Sequence, residues 1–399
     1  MYFLWLARVR AASTVLNGVL VSGLALSTGC SGRVETLKEE SGGHPGAGAP
    51  IVAAGGARSS SVGEGAGAGG SDNSAVAGRA SAIGGSPAAV GGSPAAVGGS
   101  SSTPVSDHPT QIAAGALTVL STAPRFPVSI AAYGGNLYFV DWGSFANDGA
   151  VYGLRVSGEQ VFRFDGLQGP GGIAANANGV YWAAASDLSH ADLDGANRAK
   201  LSTLFINDPI ALGPNGLYGM GSIGDAGAVL GLNFGGEGPV SLTRASDESY
   251  GLAADADSVY WSTFSDPMSI RSVPVAGGEP TTLATSPGPG GAIALDAHSV
   301  YWVAKGAVMK VPRKGGAADQ LASDSAPGFI SGIAVDGSNV YWSTADSILK
   351  VSVDGGSPEV LVTGLGVPSA VAVDDASVYF ATVGNPTGNR GAIYRLTPK

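Results

Sequence analysis

The sequence predicts an all-β fold: a seven-bladed β-propeller of four-stranded repeats about 40 residues long, closed by an N-terminal strand in the last blade and preceded by a disordered linker. Three observations predict it. An aromatic strand of the Val-Tyr-Trp type recurs seven times, with tyrosines at 138, 181, 218, 260, 301, 341 and 379. Seven or eight residues before each strand stands an Ile-Ala pair or a close variant, as at Ile130-Ala131, Ile293-Ala294 and Val371-Ala372. Both ends of this region hold incomplete units. The last repeat stops after a third strand, GAIYRLT at 391–397, whereas ALTVLST at 116–122 resembles an outer strand with no repeat in front of it.

Residues 1–30 read as an export signal. Arg8 and Arg10 precede a mostly apolar run from Ala11 to Ser27, and small residues follow. The run ends in LSTGC, and Cys30 is the chain's one cysteine, so no intrachain disulfide exists. This ending resembles a bacterial lipobox, in which the cysteine becomes the lipidated first residue. It departs from that pattern at Ser27, where the family usually has Leu. The alternative is an ordinary signal peptide, or an uncleaved anchor, with a chance cysteine. The resemblance implies a lipid anchor to the cell envelope, and Ser31 after the cysteine implies the bacterial outer membrane. A multiply acylated cysteine anchors stably, because each buried CH₂ contributes about 0.8 kcal/mol and one chain alone is marginal.

Residues 31–112 are dominated by Gly, Ala, Ser and Pro, with a tandem GGSPAAVGGSPAAVGGS at 84–100. Such a segment buries too little apolar surface to offset chain entropy and is expected to be a disordered linker. Gly-rich coil of this length spans on the order of 50 Å r.m.s., enough to lift a domain clear of a membrane.

The propeller is expected over 113–399. In the sixth unit SGIAVD is the first strand, NVYWST the second, SILKVSV the third and PEVLVT the fourth, with DGG turning the chain between the last two. Large apolar side chains at adjacent positions of VYW face opposite sides of a strand, so both faces of each sheet need covering. A closed ring of sheets supplies that cover. The VYW and IAVD elements resemble the YWTD-like and NHL-like propeller families over 116–399. The Asp that ends the YWTD motif survives once, as Asp141, and those families usually have six blades. The resemblance implies a binding scaffold, and fold alone does not assign chemistry.

Composition excludes a nucleic-acid binder. The chain is 13% charged and carries a net charge of −10, whereas phosphate neutralisation needs clustered Lys and Arg. The residues before the Ile-Ala pairs, where the central channel opens, are small or apolar: Ser129, Gly172, Pro209, Gly251, Ala292, Gly332 and Ala370. A hydrolytic or lyase site there needs carboxylates, histidines or metal ligands. Asp255, Asp296, Asp336 and Asp374, with Asn176 equivalent, recur three residues after the Ile. They suit either a cation site or a cap for each blade's own turn, and one per repeat favours the cap. His190 and His298 fall in turns, and GMGSIG at 219–224 lacks the following helix of a dinucleotide site. No cofactor and no bound metal are expected.

Binding is expected on the face formed by the loops between second and third strands and those between blades, which vary while the opposite turns stay short. The candidate residues are Phe145, Asp148, Asp187, Asp225, Phe264, Asp266, Phe329 and Asp346. Aromatics beside acids suit a protein or carbohydrate partner. The reading is a non-catalytic, envelope-tethered scaffold, expected to be a monomer. The alternative is a secreted propeller enzyme, lyase or metal-dependent lactonase-like, with its site at the channel.

Overall fold

A computed structural model describes residues 111–112 and 115–399, apart from 145–146, 186, 204, 224–225, 235–237, 245–248, 264, 289, 305, 324–331 and 385–389. The expected export signal, Cys30 and nearly all of the expected linker lie outside these residues. The described chain is strand and turn, organised as seven antiparallel sheets. Blades one to six span 127–167, 170–202, 205–244, 249–286, 293–323 and 333–363. Blade seven takes its first three strands from 368–397 and its outermost strand, Ala116–Ser121, from the N-terminal side. The innermost strands touch their neighbours all the way round, that of blade seven meeting that of blade one. The ring of seven and its expected closing strand are therefore both present.

The aromatic strands explain why the sheets stack. Each tyrosine points to the following blade, while the residues on either side of it point to the preceding one. Tyr341 of blade six packs with Val378 and Phe380 of blade seven. Tyr379 of blade seven packs with Leu137 and Phe139 of blade one. Tyr301 packs with Val340 and Trp342, and Tyr260 with Val300 and Trp302. Seven such clusters fill the seven gaps between blades. Trp182, Trp261, Trp302 and Trp342 are fully buried.

A second contact joins blades at the rim. The turn between third and fourth strands lies on the outermost strand of the preceding blade. Gly278 of blade four donates its N–H to the Leu242 carbonyl of blade three at 2.9 Å, and Gly356 of blade six donates to Leu321 of blade five at 3.1 Å. The glycine before each has a left-handed φ, +84° at Gly277 and +88° at Gly355. A Cβ at Gly277 would stand 3.0 Å from the Leu242 carbonyl oxygen, so both conformation and space require glycine.

Closure is held at both ends of the N-terminal strand. Ala116 pairs with Thr397 and Val119 with Tyr394. Gly115, at φ +87°, lies where a Cβ would come within 2.9 Å of the Thr397 and Pro398 carbonyl oxygens. Beyond the strand, buried Asp141 accepts the backbone N–H groups of Arg125 at 3.0 Å and Phe126 at 2.7 Å. Asp141, which ends YFVD, thus holds the segment that leads into blade one. Gly384 of blade seven donates to the Arg125 carbonyl, and the Arg390 guanidinium donates to the Ala123 carbonyl.

Gln111 and Ile112 sit just before the expected start of the domain. They pair antiparallel with Thr363 and Val362 and add a fifth strand to blade six.

The inner ring is close-packed. A Cβ on Gly332 would lie 2.6 Å from the Val371 backbone nitrogen, and one on Gly251 2.7 Å from Ile293. Gly337, in a turn of the same blade, has open space around it. Gly332→Val is expected to lower unfolding free energy by about 1–3 kcal/mol, the range for overpacking. Gly337→Val is expected to change it by less than about 0.5 kcal/mol, as surface substitutions do. Chemical denaturation of the two variants checks this.

Candidate functional site

Each blade runs its first strand toward one rim of the ring and its second strand back. The second-to-third loops and the connections between blades therefore gather on one face, and the short turns gather on the other. Asp148, Asp187, Asp266 and Asp346 belong to the loop face and come from blades one, two, four and six. Phe145, Asp225, Phe264 and Phe329 lie outside the described residues. The four described acids are spread around the ring, and each is engaged locally.

Asp148 braces its own loop. It accepts the Ser144 N–H at 2.7 Å and the Ser144 hydroxyl at 2.7 Å, and it pairs with the Arg125 guanidinium at 3.0 Å. These contacts, the Ser144 bonds foremost, lower its pKa below the ordinary carboxylate value. Asp187 pairs with Lys200 of the next strand at 2.8 Å. Asp266 accepts the Gly288 N–H at 3.0 Å, and Asp346 accepts the Ser347 hydroxyl at 2.7 Å. Asp148 and Asp266 tie loop to loop, so their chemistry is first that of a brace.

The seam between blades seven and one adds residues that the repeat pattern did not single out. Arg125 and Arg390 are exposed there, beside the half-buried rings of Phe126 and Trp142. The backbone N–H of Trp142 donates to the Phe126 carbonyl at 2.9 Å. Gly169, at φ +50°, lies against the Trp142 indole. Trp142 follows Asp141 in YFVDW, and that departure from the other units was the one available signal.

On the opposite face the recurring aspartates have a common geometry. Oδ1 of Asp255, Asp296, Asp336 and Asp374 accepts the backbone N–H groups two and three residues on, at 2.7–2.8 Å. Oδ2 accepts the hydroxyl of the blade's own tyrosine, five residues on, at 2.6–2.9 Å. The turn-capping reading is correct, and the tyrosine bond extends it. The sequence carried this as D-x-x-x-x-Y in four repeats. Burial, followed by the carboxylate bond, pushes Tyr260 and Tyr379 up to about 12.

Two aspartates also receive a cation from farther round the ring. Arg313 of blade five bonds Asp255 of blade four. Lys399, after the third strand of blade seven, pairs with Asp336 of blade six at 2.6 Å and donates to the Asp374 carbonyl. Partial burial works against ionising Asp336. The Lys399 ammonium, the Ser338 and Asn339 N–H groups and the Tyr341 hydroxyl outweigh it and hold the carboxyl down at about 2.

Among the described residues, no three His, Cys, Asp or Glu side chains converge as a metal-ligand set. A recess of about 310 Å³ opens on the turn face, lined by Asp336, Ser338, Asn339, Tyr341, Asp375 and Lys399. A groove of about 560 Å³ runs along the rim between blades three and four, beside Ser241, Arg244 and Glu279. The recess is away from the loop face, whereas the groove follows the outer strand of blade three.

No family model matches the chain, and no curated protein matches it. Among solved structures it is similar to the Pan2 WD40 domain of Neurospora crassa, with TM-score 0.50 and 10% identity, over 69% of this chain and 90% of that one. It is also similar to the computationally designed Ika8 protein, with TM-score 0.48 and 16% identity, over 70% of this chain and 98% of that one. A chain of a nidogen/laminin complex is similar at TM-score 0.42 and 15% identity, over 55% of this chain and 89% of that one. The likeness to the WD40 domain is one of fold, and it agrees with the β-propeller seen here.

The Asp336 network generates a prediction about acid. Its folded pKa is below the ordinary 3.8, so its stabilising effect is complete above that value and is lost as pH falls toward 2. Asp336→Asn is expected to melt below the native chain at pH 7, with the gap closing between pH 4 and pH 2. Thermal unfolding across that range checks it. Tyr341→Phe, which removes one bond to the same carboxylate, is expected to cost about 1 kcal/mol at pH 7.

Proposed function

We propose that this chain is a cell-envelope lipoprotein whose propeller is a non-catalytic scaffold, binding a protein or glycan partner on its loop face. One observation carries the reading. Variable connections from separate blades gather on one face of a closed ring whose inner strands are packed to the limit that glycine allows. Such a ring holds its loops at fixed separations, which suits recognition of an extended surface.

The candidate face comprises Phe145, Asp148, Asp187, Asp225, Phe264, Asp266, Phe329 and Asp346. Arg125, Phe126, Trp142 and Arg390 at the seam belong with it. Arginine and tryptophan are enriched among residues that dominate binding energy. Asp148 and Asp266 act as braces in this scheme, whereas Asp225, Asp346 and the phenylalanines are the contact candidates. The packed inner ring favours this face over the channel as the working surface. The anchor is Cys30, lipidated after export, with residues 31–110 as the tether.

Immobilised native chain, exposed to envelope extract, is expected to retain a specific partner. Joint substitution of Asp225, Phe264 and Asp346 by Ala is expected to reduce retention by at least about tenfold while thermal unfolding stays unchanged. Equal capture by native and substituted chains would overturn the assignment of the face. For the anchor, metabolic labelling with a radioactive fatty acid is expected to mark the native chain and to leave Cys30→Ser unmarked.

A further inference from the structure

The outermost strands of the ring are not covered alike. Five of them carry the next blade's turn on their outer side. Gly158 lies on Leu120 of blade seven, Gly195 on Phe162 of blade one and Gly315 on Leu283 of blade four, besides the two hydrogen-bonded pairs at Leu242 and Leu321. The corresponding turn over blade three's predecessor includes residues outside the described set. Blade six is different for a topological reason. The turn that would cover it belongs to blade seven, whose third and fourth strands come from opposite ends of the domain. No turn joins them.

Farther along the outer strand of blade six, toward its end, lies the two-residue strand Gln111–Ile112. It meets Val362 and Thr363 and leaves Glu359, Val360 and Leu361 without a partner from it. Val360 is 46% exposed. The strand EVLVT is rich in β-branched residues, the composition of an edge that pairs readily.

We propose that Gln111–Ile112 guards a latent pairing edge on blade six. When this guard is displaced, Glu359–Thr363 pairs antiparallel with the same strand of a second copy. The guard itself shows that the edge accepts an antiparallel strand. Pairing two copies about Leu361 sets Glu359 opposite Thr363 and Val360 opposite Val362, so no like charges meet. The Glu359 carboxylate is already countered within its own chain by Lys350 at 3.3 Å. By contrast, the outer strand of blade one carries Arg163 and Asp165 within its span, and that of blade two is four residues long with Lys200 in it.

The test uses the full chain with Cys30→Ser throughout, so that neither lipid nor thiol contributes to association. Gln111→Pro with Ile112→Pro removes the guard's hydrogen-bond donors, and Ile112→Asp is a milder second disruption. Sedimentation velocity is run over a range of concentrations, with amide hydrogen exchange read at 359–363. The guarded chain is expected to be monomeric. Both disrupted chains are expected to dimerise, with these amides protected in the dimer. Adding Val360→Lys is expected to weaken the dimer by about tenfold or more. Monomers at every concentration would overturn the proposal. So would dimers indifferent to Val360→Lys, or dimers whose 359–363 amides exchange freely, because association would then use another surface.

Discussion

The Val-Tyr-Trp triplet commits every sheet to two neighbours at once. Tyr341 leaves blade six toward blade seven while Val340 and Trp342 leave it toward blade five, and all three are inaccessible to solvent. A sheet built this way has no exposed face to spare, so a row of them is stable only when its ends meet. The number of blades, the borrowed outer strand and the tight glycines of the inner ring all answer to that requirement. A side chain at Gly251 or Gly332 would push two inner strands apart and open the ring. The same rigidity makes the loop face a fixed platform, which links the packing to the proposed binding role.

Most of the architecture was legible because it repeats. Period, strand alternation and the unmatched outer strand at 116–122 together predict seven four-stranded blades and the way they close. The recurring aspartates were legible as turn caps for the same reason, since each acts within its own blade. What the sequence does not display is contact between different blades at positions without a repeat. Asp141 appears in the sequence as the remnant of a motif, yet it holds Arg125 and Phe126 across the seam. Lys399 appears as a terminal lysine, yet it reaches Asp336 in the neighbouring blade. Gln111 and Ile112 read as the end of a linker, because two residues carry no periodicity. Their pairing with blade six follows only from where closure cuts the ring.

The candidate face was legible as a face and less so as residues. Alternation of long loops and short turns fixes which connections share a side. It does not tell a brace from a contact. Asp148 and Asp266 have the same residue type and location as Asp346, but Asp148 holds the backbone of its own loop and Asp266 that of the connection after its blade. The difference lies in the partners, Ser144 four residues before Asp148 in one case and Gly288, 22 residues after Asp266, in the other. Arg125 and Trp142 were missed because they belong to the seam, where the repeat is interrupted and each residue has its own local role.

Closure also sets the order in which this chain can fold. Within a blade, strands pair with partners a few residues away, and such contacts form quickly. The pairing of Ala116 with Thr397 spans about 280 residues, so its loop-closure entropy is met only after the other blades have brought the ends together. Of the four regular strands of each blade, the one at 116–121 is made first and is expected to pair last. Until the rest of the ring is ready to receive it, that segment, ALTVLS, is a strand without its partner.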